Sequence, residues 1–211
     1  MKLVIATGNA GKMQELREML GPLGFTLLSL SDAGLSSPEE PFATFQENAD
    51  LKARDAARSG MWALGDDSGL CVDALDGAPG VHSARYAPTD VERRAKLLQA
   101  LRDVPYERRG AHFFCAMTLA APRFGAGSDR GRPSAAEVRL FRAEGRVDGR
   151  IVRTERGTNG FGYDPLFEPT ETPGRTIAEL PSDDKNRLSH RGRALERLRP
   201  LLTQLAKDGD L

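Results

Sequence analysis

Apolar positions change from continuous runs to helical spacing along the first sixty residues. An apolar run at 3–6 stops at the glycine-containing segment 7–12, and apolar residues then recur three or four positions apart up to Leu23. This pattern predicts a strand, a turn and a helix. Residues 44–47 have the capping-box form, which predicts the start of a second helix that continues to about Arg58.

The rest of the chain mixes strand and helix patterns without a regular alternation. Segments 61–64 and 70–75 are predicted as two strands around an acidic turn at 65–69, and 112–121 and 138–141 as two further strands. Apolar residues predict a third helix, and leucines predict a C-terminal helix that Pro200 should kink or split at Arg199. The apolar positions of the third helix are Val91, Ala95, Leu98 and Leu101. The predicted fold class is therefore α/β.

Composition narrows the class of protein. Thirty basic residues balance thirty acidic ones, and this argues against indiscriminate nucleic-acid binding. No apolar run approaches the length of a membrane span, and the first residues do not resemble a signal peptide. Two cysteines in apolar surroundings predict reduced core residues and a cytoplasmic protein. We expect one domain over 1–211, with a variable surface loop at 122–136.

Two segments of the N-terminal half carry candidate chemistry. Segment 7–12 places backbone N–H groups, a hydroxyl and the Lys12 ammonium at a helix start, which suits phosphate binding; the alternative is a turn that needs glycine. Asp66 and Asp67 follow Gly65, so one carboxylate could bind a hard cation while the other positions or deprotonates water. The alternative for this pair is a solvated turn. On the second helix Asn48, Lys52 and Asp55 share one polar face.

Two segments of the C-terminal half also carry candidate chemistry. Two glycines and two aromatic residues at 160–165 suit a loop that closes on a flat ring, or else a turn with core anchors. Ser189 can cap a helix that begins with His190 and Arg191. Together, a phosphate site, carboxylates, a ring-stacking loop and a basic helix start indicate a nucleotide enzyme.

At these residues the chain resembles the inosine triphosphate pyrophosphatase family, whose members act on non-canonical purine nucleoside triphosphates. The matching stretches run in the family's order over nearly the whole chain. They are residues 6–12, 44–53, 66–70, 77–86, 160–165 and 189–195.

The resemblance implies Mg²⁺-dependent hydrolysis of ITP, dITP and XTP to the monophosphate and pyrophosphate by a homodimer. It implies a long mixed sheet flanked by helices in two lobes, with the active site in the cleft between them. Asp67 would accept the proton, with Asp66 beside it, and Glu40 and Asp67 would bind Mg²⁺. Substrate-binding residues implied by the family are Thr7, Gly8, Asn9, Ala10, Gly11, Lys12, Lys52, Ser68, Phe161, Gly162, Tyr163, Asp164, Lys185, His190 and Arg191.

Two alternatives remain open at this point. A nucleic-acid or nucleotide-binding module would use the basic segment 185–199 as its contact surface and would not hydrolyse its ligand. A pyrophosphatase for other modified nucleotides would share the phosphate-binding residues and differ only in the residues around the base.

Overall fold

The computed structural model describes residues 1–121 and 138–208, and the predicted loop at 122–136 lies outside them. The strands of this part of the chain are β1 (Lys2–Ala6), β2 (Thr26–Leu28), β3 (Trp62–Val72), β4 (Gly110–Ala121), β5 (Arg139–Ile151) and β6 (Phe167–Pro169). They form one sheet in the order β2-β1-β3-β4-β5-β6. Because β1 is parallel to β2 and β3, whereas β6 is antiparallel to β5, the sheet is mixed, as predicted.

Side-chain caps mark the start of most of the helices. The α-helices of the described residues are α1 (Ala10–Leu20), α2 (Phe45–Ala57), α3 (Asp90–Ala100), α4 (Ser182–Leu188) and α5 (His190–Asp208). The Thr44 hydroxyl accepts the Glu47 N–H at 3.2 Å and donates to its carboxylate at 2.6 Å, which confirms the predicted start of α2. Helix α5 is continuous through Pro200, so the predicted split does not occur.

The predicted face of α3 is only partly correct. Of its four predicted positions, Leu101 is fully buried and Leu98 is half-buried, whereas Val91 is 64% exposed and Ala95 is exposed as well. Leu97, which was not predicted, is fully buried. Val91 lies in the first turn of the helix, whose one buried residue is Leu97.

The predicted acidic turn at 65–69 is wrong, because β3 runs without a break from Trp62 to Val72. Asp66 and Asp67 are buried, at 0% and 4% exposed, so neither belongs to a solvated turn. A buried carboxylate is tolerated when a cation and hydrogen-bond donors satisfy it. The two lysines that do so lie far away in the sequence, at Lys12 and Lys52.

The chain divides into two compact units, and the division falls within strands β3, β4 and β5. Unit 1 comprises Met1–Asp67, Ala116–Glu144 and Ala194–Leu211, and unit 2 comprises Ser68–Cys115 and Gly145–Arg193. Each unit has its own apolar core. In unit 1 small side chains of α2 pack with β1 and β3, through Val4, Ala6, Ala53, Ala56, Ala57 and Ala63. In unit 2 larger side chains dominate, among them Leu70, Leu97, Phe113, Val147, Tyr163 and Phe167.

Two further expectations concern cysteine and membrane association. Cys115 is buried and Cys71 is half-buried, and neither forms a disulfide bond within the described residues. No helix of the described residues has the length and hydropathy needed to cross a membrane.

Candidate active site

Five charged side chains of unit 1 form a group that we call the acid–lysine cluster: Lys12, Glu40, Lys52, Asp66 and Asp67. Glu40 is half-buried and the other four are buried. Lys12 Nζ lies 2.6 Å from Asp66 Oδ1. Lys52 Nζ lies 2.7 Å from Glu40 Oε1 and 2.8 Å from Asp67 Oδ1, and it also donates to the Asp66 carbonyl at 2.9 Å. Each carboxylate of the cluster is therefore paired with an ammonium.

The strand geometry explains how two adjacent aspartates reach different lysines. Successive side chains of a strand point to opposite faces, so Asp66 and Asp67 diverge. Asp66 meets the lysine of α1, and Asp67 meets the lysine of α2.

A glycine of β3 allows α2 to approach closely enough for this contact. A Cβ at Gly65 would lie 2.4 Å from the Ala49 carbonyl oxygen, so only glycine fits there. Asn48 and Lys52, one turn apart on α2, both reach Asp67, and the Asn48 amide donates to Asp67 Oδ2 at 3.3 Å. Asp55, predicted on the same face, instead pairs with Arg58 at 3.4 Å.

Asn48 also holds the segment that carries Glu40. Its side chain accepts the Phe42 N–H at 3.2 Å and donates to the Phe42 carbonyl at 3.1 Å. One buried amide thus connects the Glu40 segment, α2 and β3. The helical spacing in the sequence predicts Asn48 beside Lys52 but points to no function for it.

Burial and the charges of the cluster together shift two pKa values. Burial raises the pKa of the Asp67 carboxyl, and the nearby ammonium groups of Lys52 and Lys12 only partly offset this. Burial would lower the pKa of Lys52, but Asp67 and Glu40 outweigh it and raise that pKa above its usual value. A carboxyl group with a raised pKa is better suited to accept a proton than an ordinary solvated one.

The predicted phosphate-binding segment 7–12 forms the start of α1. Asn9 is its N-cap, and the Asn9 side chain accepts the Lys12 N–H at 3.1 Å. The Thr7 hydroxyl accepts the Asn9 N–H at 3.2 Å. A Cβ at Gly8 would meet no atom within 4 Å, so the space beside this residue is open. Backbone N–H groups at such a helix start attract anions.

The donor set of the acid–lysine cluster fits a magnesium ion that is only partly coordinated by protein. Within residues 1–121 and 138–208, no group of three His, Cys, Asp or Glu side chains could hold a metal alone. Glu40 and Asp67 nevertheless share one cation, the Lys52 ammonium. Mg²⁺ is commonly bound by one or two carboxylates together with water and substrate phosphates.

A second group, in unit 2, surrounds an aromatic ring, and we call it the ring–cation cluster: Ser68, Phe161, Asp164, Lys185 and Arg191. Lys185 Nζ lies 2.7 Å from Asp164 Oδ2 and 5.3 Å from the centre of the Phe161 ring. Arg191 Cζ lies 5.9 Å from the same ring centre, and Arg191 Nη2 donates to Ser68 Oγ at 3.0 Å. The arrangement suits a flat, polar ligand.

The start of α5 positions two further predicted residues. Ser189 Oγ accepts the Gly192 N–H at 2.9 Å, which confirms the predicted cap. His190 stacks in parallel on Phe113, with ring centres 4.8 Å apart and an interplanar angle of 8°. Arg191 is 1% exposed. Phe113 is thus a supporting residue that the sequence analysis missed.

Two predicted site residues have structural contacts instead of a side chain at the Phe161 ring: Tyr163 packs in the core, and Gly162 is bound through its backbone. The Tyr163 ring belongs to the core of unit 2, its hydroxyl donates to the Ser83 carbonyl at 3.0 Å, and burial strongly raises its pKa. Gly162 has a φ of +60° and is bound by Asp90 and Arg94 of α3. No sequence signal pointed to Asp90 or Arg94, because they lie about seventy residues before Gly162.

These features define an α/β protein with a buried acid–lysine cluster in one unit and a ring–cation cluster in the other. Residues 3–201 match the model of the Ham1 family. The chain therefore belongs to the Ham1 family, and the family resemblance found in the sequence is confirmed.

Curated relatives align with almost the whole chain. A dITP/XTP pyrophosphatase of Thermus thermophilus is 49% identical and covers 99% of this chain and 93% of its own length. The dITP/XTP pyrophosphatase of Exiguobacterium sibiricum is 46% identical, with 96% of this chain and 98% of the relative covered.

Solved structures share the fold. A HAM1 protein from Coxiella burnetii superposes with a TM-score of 0.79 at 40% identity, covering 97% of this chain and 99% of that one. The Ham1 protein of Staphylococcus aureus gives a TM-score of 0.76 at 32% identity, with 96% and 98% covered.

Proposed function

We propose that this chain hydrolyses non-canonical purine nucleoside triphosphates, namely dITP, XTP and ITP, to the nucleoside monophosphate and pyrophosphate. The observation that carries the proposal is the acid–lysine cluster, because it brings together lysines and carboxylates to which the family resemblance assigns phosphate and metal binding. Full-length identity of 49% to a dITP/XTP pyrophosphatase supports the same reaction.

In this proposal the residues of unit 1 bind the phosphates. Thr7, Gly8, Asn9, Ala10 and Gly11 offer the polar groups of a helix start, and Lys12 and Lys52 offer positive charge. Both lysines are already held by carboxylates, so they are oriented before substrate arrives.

Glu40 and Asp67 would hold a magnesium ion, which when bound offsets phosphate charge and lowers the pKa of water. Asp67 would also accept a proton from the attacking water. Asp66 is engaged by Lys12, so we assign it to holding that lysine. Pyrophosphate would then leave from the α-phosphorus.

The residues of unit 2 would bind the base and sugar. The base would stack on Phe161, with Gly162, Tyr163 and Asp164 forming the turn beneath it. Ser68, Lys185, His190 and Arg191 would supply polar contacts. A donor that faces position 6 of the purine pairs with an oxo group but leaves hydrogens unpaired against an amino group, which disfavours adenine.

A panel of nucleoside triphosphates with Mg²⁺ tests the proposal. Products are separated by ion-exchange chromatography, with an EDTA-treated sample as control. We expect dITP, XTP and ITP to give monophosphate and pyrophosphate, and dATP to react at least about 10²-fold more slowly.

Three other outcomes of the nucleotide panel would change or contradict the proposed function. Preferential turnover of another modified or pyrimidine nucleotide would replace the substrate and keep the reaction. Inorganic phosphate and a nucleoside diphosphate as first products would contradict the reaction itself. Salt-sensitive binding to polynucleotide without any turnover would favour the nucleic-acid-binding alternative.

We also propose that the protein works in the cytoplasm as a homodimer, as the family resemblance implies. Light scattering of the purified protein at several concentrations tests the dimer. A monomer that retains full activity at all concentrations would contradict it.

A further inference from the structure

The turn that carries Phe161 is bound at two points. On one side, Asp164 Oδ2 accepts hydrogen bonds from the Phe161 N–H at 3.0 Å and from Lys185 Nζ at 2.7 Å. On the other side lies Gly162, whose φ of +60° is a conformation that side chains rarely adopt. A Cβ at Gly162 would contact nothing within 4 Å, so backbone conformation, and not packing, requires glycine here.

Both backbone polar groups of Gly162 are bound by α3. Asp90 Oδ2 accepts the Gly162 N–H at 2.8 Å, and Arg94 Nη1 donates to the Gly162 carbonyl at 3.0 Å. Asp90 and Arg94 are four residues apart, so they lie on the same face of the helix. A donor and an acceptor at this spacing fix both the position and the direction of the bound backbone.

The two side chains are themselves held in place. Arg94 is mostly buried, with its side chain 13% exposed, and its Nε lies 2.9 Å from Glu155 Oε2. Asp90 Oδ1 pairs with Arg93 Nη1. Thr89 and Glu92 form a complete capping box at the same helix start, which fixes the first turn of α3. The binding groups are therefore preorganised.

From this geometry we propose that Asp90 and Arg94 are positioning residues that hold Gly162 and so set the Phe161 ring in the conformation that receives the purine base. The inference rests on the proposed function. Gly162 adjoins Phe161, and the cations of Lys185 and Arg191 approach that ring to 5.3 and 5.9 Å. A shift of the Gly162 backbone would move the ring relative to these cations.

Steady-state kinetics of Arg94→Met and Asp90→Ala test the proposal. We expect KM for dITP to rise about tenfold with a smaller change in kcat, because stacking on the base acts in both the ground and transition states. Two conservative variants should restore much of the loss: Asp90→Asn keeps an acceptor for the Gly162 N–H, and Arg94→Lys keeps a donor for its carbonyl.

Lys96→Met is the matched control on the same helix. Lys96 donates to the Tyr86 carbonyl at 2.8 Å and lies over the Tyr86 ring. Its hydrogen bond and its ring contact are therefore both with Tyr86, and not with the turn at 160–164. Its KM should stay within twofold of wild type. An equal rise of KM in Lys96→Met and Arg94→Met would mean that general destabilisation of α3 is responsible, and would overturn the proposal.

Amide hydrogen exchange gives a second readout that does not depend on turnover. In Arg94→Met and Asp90→Ala, peptides that cover residues 160–164 should exchange faster, while peptides from α1 and α2 stay unchanged. Unchanged exchange together with an unchanged KM would contradict the proposal. If wild-type protein hydrolyses none of the triphosphates, the proposed function fails, and the exchange result still decides whether α3 holds the turn.

Discussion

The acid–lysine cluster and the ring–cation cluster use charge in different ways. In the first, Lys12 and Lys52 are paired with the carboxylates of Asp66, Asp67 and Glu40, and these groups are mostly buried. In the second, the cations of Lys185 and Arg191 approach an aromatic ring, and the turn that carries the ring is held through its backbone. The first arrangement suits phosphate and metal chemistry, and the second suits selection of a base.

This difference has a consequence for mutagenesis. Removing one charge from the acid–lysine cluster leaves a buried counter-charge, so stability and activity change together. In the ring–cation cluster the same applies to the buried pair of Lys185 and Asp164, whereas removing the Arg191 guanidinium should mainly change which substrate binds.

Lys12→Met should have the largest effect on stability. It leaves Asp66, which is fully buried, without its ammonium partner, and a broken buried pair typically costs about 3–5 kcal/mol. The free energy of unfolding is measured by urea titration. The double variant Lys12→Met/Asp66→Asn should recover most of the loss. A double variant no more stable than Lys12→Met would show that the pair is not the cause.

Asp67→Asn should lower kcat for dITP by about 10²-fold or more, because the proton acceptor is lost. Its stability should fall less than that of Lys12→Met, since Lys52 keeps the Glu40 carboxylate and the Asp66 carbonyl as partners. Turnover within threefold of wild type at saturating Mg²⁺ would exclude the proposed role of Asp67.

Arg191→Ala should change specificity more than catalysis. Its guanidinium lies near the Phe161 ring and donates to Ser68, so its loss should reduce the preference for dITP over dATP by about tenfold. The ratio of kcat/KM values is the measurement. A variant that loses activity on both substrates equally would place Arg191 in phosphate binding instead.

Asp50→Asn is the structural control for unit 1, with an expected loss of about 1–2 kcal/mol and unchanged kcat. Asp50 lies on α2 with Lys52, but it accepts from Arg142 at 2.7 Å and from Thr118 at 2.7 Å. Burial would raise the pKa of Asp50, whereas the hydrogen bonds from Arg142, Thr118 and Gln46 lower it overall.

The lowered pKa fixes the sign of the pH dependence. Asp50 contributes its stability above the unfolded-state pKa of about 3.9 and loses it as the pH falls towards the folded-state value. Urea titrations at several pH values should therefore show a difference between wild type and Asp50→Asn that is full at pH 7 and shrinks below about pH 4. A difference that grows with acidity would contradict this.

Local signals in the sequence predicted much of the fold. The caps at Thr44 and Ser189 were found because their partners lie three residues away. The acidic turn was predicted wrongly, because the lysines that neutralise Asp66 and Asp67 come from α1 and α2. A pattern that spans a few residues cannot reveal such distant partners.

At the candidate site, too, short sequence patterns did not reveal partners that are distant in the chain. Family motifs pointed to candidate substrate-binding residues, but not to the side chains that support them. Asp90, Arg94 and Phe113 carry no motif, and their contacts at Gly162 and His190 join segments far apart in the chain.

The position of bond cleavage tests the central claim most directly. Wild-type protein is incubated with dITP and Mg²⁺ in ¹⁸O-labelled water, and the products are analysed by mass spectrometry. Attack at the α-phosphorus, as we propose, puts the label in deoxyinosine monophosphate and leaves pyrophosphate unlabelled. Label in inorganic phosphate, with deoxyinosine diphosphate accumulating, would contradict the assignment of this chain as a nucleoside-triphosphate pyrophosphatase.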